Sequence, residues 1–398
     1  MNIDIRENMK IIQILPHSLS PHNKTADPRF YEDDWHVKVA KKIKNLSNDY
    51  EIECWRPEKN LNKIYVRMGD DGIIYKIFPS KYLFKFEYSP LMLKELRKMM
   101  DNHKILLHFH GIFYPNTYYI LKSIPAQIPV IAQSHASSPT LIRALFDGTP
   151  LTLLEPFESL MQKNYFKKVD QFFCLSEREK EKFSKYGNAI IQPMGIDFNK
   201  FKPAGKEMAL KSFGLENKKY ILYVGRINKI KGVDYLIRGF KDSLIKHELT
   251  LIIAGEGPYK PELKSLIKDL KISNYIKFLG FVENEKLPYL YNVADVTVSP
   301  SLWEAYPVVP MESLACKTPL ITTNVGAISE ITNHFEGGYK IVPMHDSNAI
   351  TNALNEVISG KISKSDINRE NGKKYHSWDS IIQNTISVYS KLQGEYYG

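Results

Sequence analysis

The run Lys219-Tyr220-Ile221-Leu222-Tyr223-Val224-Gly225, followed at once by Arg226-Ile227-Asn228-Lys229-Ile230-Lys231-Gly232, decides the fold class. A short apolar and aromatic run ending on a glycine reads as a buried strand. From about residue 233 to 245 apolar residues recur at helical spacing. A buried strand that feeds a helix through a glycine turn is the opening unit of a parallel βαβ sheet.

The same plan repeats outward in both directions. Downstream, strands are expected at 249–254, 276–279, 296–299, 320–323 and 339–342. Upstream they are expected at 9–15, 50–55, 105–111, 129–135 and 171–176, with a lysine-studded helix over 35–46. Between the halves, Gln192-Pro193-Met194-Gly195-Ile196-Asp197 and Phe201-Lys202-Pro203 read as an exposed, strand-poor connection. The expected fold is therefore α/β, with two Rossmann-like domains, 1–200 and 201–377, hinged near 195–204. Two such sheets present the carboxyl ends of their strands across a central cleft, where ligands bind.

Bulk composition fits this plan. The chain has 398 residues, too many for one ordinary core. It is 43% hydrophobic and 25% charged, as a globular protein is. No apolar stretch reaches the roughly 18 residues a membrane helix needs. The opening MNIDIRENMKIIQILPHS lacks the pattern of a secretory signal, so a cytoplasmic location is expected. Cys54, Cys174 and Cys316 lie far apart, which argues against a disulfide framework or structural zinc. The net charge of +10 is spread out: residues 1–200 hold 29 Lys and Arg against 23 Asp and Glu, and the remainder 25 against 21. Without a basic arm or a recognition motif, no nucleic-acid partner is expected. A solvated lysine-rich surface, an anionic ligand and an anionic membrane surface all stay open.

Two loops carry unusual chemistry. In the first, Gly225 lets the backbone turn closely, Arg226 offers a planar fork of donors and Lys231 a mobile point charge. Two cations beside a helix start suit a diphosphate; a solvated basic turn is the other reading. In the second, Ser301-Leu302-Trp303-Glu304-Ala305-Tyr306-Pro307-Val308-Val309-Pro310-Met311-Glu312, two glutamates are separated by seven residues. Glu304 falls in the loop and Glu312 inside the following helix, where carboxylates accept hydrogen bonds from sugar hydroxyls. Backbone N–H groups near Val308 and Val309 are expected to be able to meet phosphate oxygens. Glutamates that merely complement the helix dipole are the other reading.

From about residue 219 to 332 these motifs together resemble retaining glycosyltransferase family 4. Members show a G-R-x-x-x-x-K-G loop, a G-[DE]-G-P turn, an F-L-G-[FY]-V strand and an E-x7-E segment running into A-C-G-x-P-V. Here they stand, in order, as Gly225 to Gly232, Gly255-Glu256-Gly257-Pro258, Phe278-Leu279-Gly280-Phe281-Val282, and Glu304 to Glu312 followed by Ala315-Cys316-Lys317-Thr318-Pro319-Leu320. The resemblance implies the two-domain GT-B architecture, with a C-terminal helix over 378–398 returning to the first domain. It implies that Arg226 and Lys231 neutralise the leaving diphosphate, that Glu304 contacts the donor sugar, and that Glu312 binds the ribose. It also implies that backbone near Phe281 and Val282 cradles the base. In the first half, Val130-Ile131-Ala132-Gln133-Ser134-His135 resembles the strand that ends in an active-site histidine, His135, whereas His108 and His110 read as structural.

The implied reaction is transfer from a nucleotide-sugar donor, UDP- or GDP-linked, to a hydroxyl of a glycan or lipid-linked acceptor, with retention. No metal and no other cofactor is expected. A nucleotide-sugar epimerase and a non-catalytic sugar-nucleotide binder are the rivals, and the motif set favours transfer. Two departures stand out. The segment 16–34 has no glycine where many members have two, and Lys317 replaces the glycine of A-C-G. Basic and aromatic residues between Lys81 and Lys98 suit either a membrane surface or a solvated amphipathic helix.

Overall fold

The computed structural model of the chain describes residues 9–18, 35–59, 61–83, 86–134, 163–247 and 249–398. His135 lies outside the described residues. Two compact units emerge, residues 1–192 with 381–398, and residues 193–380.

The first unit contains β1 (Met9–Ile14), β2 (Tyr50–Glu58), β3 (Tyr65–Met68), β4 (Ile74–Pro79), β5 (Lys81–Leu83), β6 (Phe86–Tyr88), β7 (Ile105–His110), β8 (Val130–Gln133), β9 (Gln171–Cys174) and β10 (Asn188–Ile191). Its described sheet runs β10-β9-β8-β7-β1-β2-β4-β3, parallel except for β3, which pairs antiparallel with β4 at the edge. Ile11 stands opposite Ile52 on one side and Leu106 on the other. Every residue of β7 is buried, as befits a strand covered on both faces. The helix Trp35–Leu46 turns Val37, Val39, Ala40 and Ile43 inward. The C-terminal helix belongs to this unit from Ile381 on. It sets Tyr389, fully buried, against the sheet: Gln13 Nε2 donates to the Tyr389 hydroxyl at 2.8 Å, and His108 Nδ1 meets the same hydroxyl at 2.7 Å. His110 Nε2 joins this chain through the side-chain amide oxygen Oε1 of Gln13.

The second unit contains β11 (Tyr220–Val224), β12 (Thr250–Ala254), β13 (Ile276–Gly280), β14 (Val296–Ser299), β15 (Leu320–Thr323) and β16 (Tyr339–Val342). The order is β13-β12-β11-β14-β15-β16, all parallel. Numbered within the unit this is 3-2-1-4-5-6, the doubly wound order. Ile221, Tyr223, Leu236, Phe240, Ile253 and Val298 fill its core. The order reverses between β11 and β14, so the loops leaving those two strands diverge and open a crevice.

Two expectations need correction. The segment after Gln192 is not an exposed connection. Ile196, Phe198 and Phe201 are buried in the second unit, Ile196 N–H donates to the His376 carbonyl at 2.9 Å, and Arg369 holds the Phe198 carbonyl at 2.5 Å. Apolar side chains at 196, 198 and 201 outweigh the local Pro and Gly signals. The stretch 81–98 is not one amphipathic surface either. It forms the β5–β6 hairpin and then the helix Pro90–Met100, whose apolar face (Met92, Leu93, Leu96, Met99) is core.

Candidate donor site at the β11–β14 crevice

The site grows from three loops held backbone to backbone. Gly225 directly follows β11, and its N–H donates to the Ala254 carbonyl at 3.0 Å. Ile227 N–H then donates to Glu256 at 2.9 Å. Gly255, at φ 151°, lies so close that a Cβ there would stand 1.8 Å from the Gly225 carbonyl oxygen. Two of the sequence motifs thus meet as one packed turn, which explains the glycine in each.

The chain then makes a short 3₁₀ turn, Lys229–Lys231, whose Ile230 carbonyl accepts from Leu302 N–H at 2.8 Å. That bond ties the loop leaving β14 to the loop leaving β11. Thr323 Oγ1 holds the Ser301 carbonyl from the next strand. Gly326, at φ 58°, lets its own loop pass under the Glu304 and Ala305 carbonyls; a Cβ there would lie 2.7 and 2.5 Å from them.

Within this frame the Lys231 ammonium donates to Glu304 Oε1, forming an ion pair, and Ser301 Oγ donates to the same oxygen at 2.8 Å. Both charged side chains are mostly buried, 24% and 17% exposed. The helix Val308–Ala315 begins four residues after Glu304, with Pro307 as its cap. The first-turn N–H groups of a helix have no partner within it, and they concentrate positive potential. A pocket of about 230 Å³ lies here, lined by Tyr223, Gly225, Lys231, Ser301, Glu304 and Tyr306, together with Val224, Ser299 and Pro307 to Pro310.

Of the residues singled out from sequence, Gly225, Lys231, Glu304, Val308 and Val309 share this pocket. Arg226, Glu312, Phe281 and Val282 are not among its lining residues. The Arg226 side chain is exposed, while its carbonyl accepts from the Tyr223 hydroxyl at 3.0 Å. Phe281 is 79% exposed at the end of β13. Glu312 is buried in its helix and accepts from the Tyr291 hydroxyl at 2.7 Å. Burial pushes its carboxyl up to about 7, against the opposing pull of the Tyr291 bond and of Lys200. Tyr223, Ser299, Ser301 and Tyr306 line the pocket without having been singled out. Ser299 and Ser301 at the carboxyl end of a strand were the available signal. Among the described residues no group of three His, Cys, Asp or Glu side chains converges to hold a metal ion.

Comparison with known proteins finds likenesses in sequence and in fold. Residues 206–375 match the model for glycosyl transferases group 1. Over 79% of its length the chain is 27% identical to an uncharacterized glycosyltransferase of Methanocaldococcus jannaschii, covering 84% of that protein. Matches to further relatives span about half of their length. Sucrose-phosphate synthase from Thermosynechococcus elongatus superposes over 97% of this chain and all of that one, with a TM-score of 0.73 at 16% identity. Anabaena HepE, solved in complex with UDP, superposes over 96% of this chain and all of that one, with a TM-score of 0.69 at 17% identity. The fold is that of the GT-B glycosyltransferases. The family match lies within the second unit, and the chain is similar to glycosyltransferases over most of its length.

Proposed function

We propose that the chain moves a sugar from a UDP- or GDP-linked donor to a hydroxyl of a glycan or lipid-linked acceptor, retaining the anomeric configuration and using no metal. One observation carries this reading: an ammonium, a carboxylate and a helix start converge on a crevice at the point where the strand order reverses. Such crevices bind nucleotides in doubly wound sheets. The pocket is smaller than the roughly 300–1,000 Å³ of whole-ligand sites, so it takes the diphosphate and sugar end of a donor.

The Lys231–Glu304 pair gives the two groups a common resting state. An entering diphosphate offers Lys231 oxygens of greater charge, and the released Glu304 carboxylate turns to the sugar hydroxyls. The N–H groups at Val308 and Val309 add hydrogen bonds to phosphate. In the reaction the bond between the anomeric carbon and the β-phosphate oxygen breaks. The acceptor oxygen bonds that carbon, and its proton passes to a phosphate oxygen. Charge grows on the leaving phosphate, where Lys231 and the helix start stabilise it. With that charge already met by an ammonium, a divalent cation is superfluous. Arg226 joins Lys231 at the diphosphate if its exposed side chain folds over the bound donor. Peripheral contact with an anionic membrane would use the exposed Lys81, Tyr82 and Leu83 of the β5–β6 hairpin.

The test is a transfer assay with UDP- and GDP-sugars, in EDTA and in Mg²⁺, with the product anomer read by NMR. Turnover in EDTA with retention is expected, and Lys231→Ala should lower kcat on the order of 10²-fold, the scale of one strong transition-state donor. Turnover abolished by EDTA and restored by Mg²⁺ removes the metal-free account. Inversion removes the retaining one.

A further inference from the structure

Glu304 stands two residues before Tyr306, whose buried hydroxyl has no part in the transfer scheme. Tyr306 lines the pocket with its body and is 8% exposed. Its hydroxyl meets His376 Nδ1 at 3.2 Å. On the other edge of the ring, His376 Nε2 meets His334 Nδ1 at 3.0 Å. Burial pushes the His376 imidazole down to about 3, so the ring is neutral, with one donor and one acceptor. Each ring nitrogen faces one partner, Nδ1 the Tyr306 hydroxyl and Nε2 His334, so one donates and the other accepts.

His376 itself is firmly seated. Its ring lies parallel to Phe335, 5.9 Å between centroids and 5° between planes, and its carbonyl accepts from Ile196 N–H at 2.9 Å. His334 in turn stacks on Tyr375 at 3.9 Å. A phenylalanine at 306 would fill the same space without a polar atom to satisfy. A buried hydroxyl adds direction more than net stability. What it directs is the one loop that carries Glu304 on one side and the helix start at Val308 on the other.

We propose that Tyr306 and His376 are positioning residues of the donor site, their hydrogen bond holding the loop 301–307 so that Glu304 and the amide groups at Val308 and Val309 face one pocket. The kinetic consequence rests on the sugar-transfer reading; the structural one does not.

Three variants separate the outcomes: Tyr306→Phe, His376→Leu and His376→Asn. Asparagine places an amide near the position of Nδ1, so Tyr306 keeps a partner while His334 loses one. Hydrogen exchange is read on the unliganded chain. Amides within 301–309 should exchange about 5- to 10-fold faster in Tyr306→Phe and His376→Leu, the scale of one buried hydrogen bond. They should stay near the parent in His376→Asn, with β11 unchanged in all three. In the transfer assay kcat should fall by a similar factor in the first two variants, with donor KM within about twofold, and recover in His376→Asn. Unchanged exchange at 301–309 in Tyr306→Phe overturns the proposal. So does His376→Asn behaving like His376→Leu, or kcat and KM worsening in parallel. A parent that transfers no sugar at all would sink the transfer reading instead, and the exchange measurement would still decide the positioning role.

Discussion

Glu312 is the acidic residue whose surroundings demand most explanation. It is 6% exposed, bonded to Tyr291, and held up to about 7 from an ordinary 4.5, chiefly by burial. A carboxyl with a raised folded-state pKa keeps a proton that the unfolded chain gives up between pH 4.5 and 7. Its contribution to stability is therefore whole below about pH 4.5 and lost as pH rises through about 7. Glu312→Gln keeps an acceptor for Tyr291 and never ionises. It should match the parent near pH 4 and exceed it at pH 8 by on the order of 2 kcal/mol in denaturant unfolding. Nucleotide binding adds a second readout. Ribose hydroxyls donating to Glu312 favour the carboxylate, so affinity for a nucleoside diphosphate should rise with pH through about 7. The glutamine variant should lose that slope in calorimetry. A parent with no slope would remove Glu312 from the ribose.

At the scale of elements, the helix Val308–Ala315 closes with a Schellman turn: Lys317 N–H donates to Leu314 at 2.9 Å and Thr318 N–H to Ser313 at 2.9 Å. The turn needs a left-handed residue, and Lys317 supplies it at φ 57°, where a side chain costs about 1 kcal/mol. Lys317→Gly should raise the unfolding free energy by up to about that amount without changing donor affinity. A loss of stability would show that the lysine side chain compensates. This is the position where the sequence already departs from the A-C-G pattern, so the backbone demand was legible there even though the residue was not a glycine. Strands such as Val296–Ser299 and Leu320–Thr323 were legible too, because short buried β-branched runs have few other uses. The edge strand β3 was not. Its four residues alternate exposed and half-buried with Arg67 among them, and nothing local distinguishes that from a loop. Nor could spacing tell that Lys231 turns into the pocket while Arg226, five residues earlier, turns out. The 3₁₀ turn between them sets those directions. The roles of Ser301 and Tyr306 escaped for a different reason. Serine and tyrosine are common in loops, and only the pairing of β11 with β14 brings these two beside Lys231.

For the whole molecule, every residue lining the pocket falls within 193–380. Both the order-reversal crevice and the Tyr306 support are internal to that unit. Residues 193–380 expressed alone should therefore fold and bind a nucleoside diphosphate with affinity within about tenfold of the full chain, a difference of about 1.4 kcal/mol. Thermal shift and calorimetry check this, and a folded fragment that binds none would place essential contacts in the first unit. The first unit has the opposite property, because its sheet is completed by the helix beyond Ile381. On the ribosome the first half of the sequence emerges first and finishes last. The second unit can close while Gln13 and His108 still await Tyr389, which arrives more than 280 residues after His108. The amino-terminal sheet must spend the translation of the entire second unit incomplete, which makes it the part of the nascent chain most exposed to chaperones and proteases.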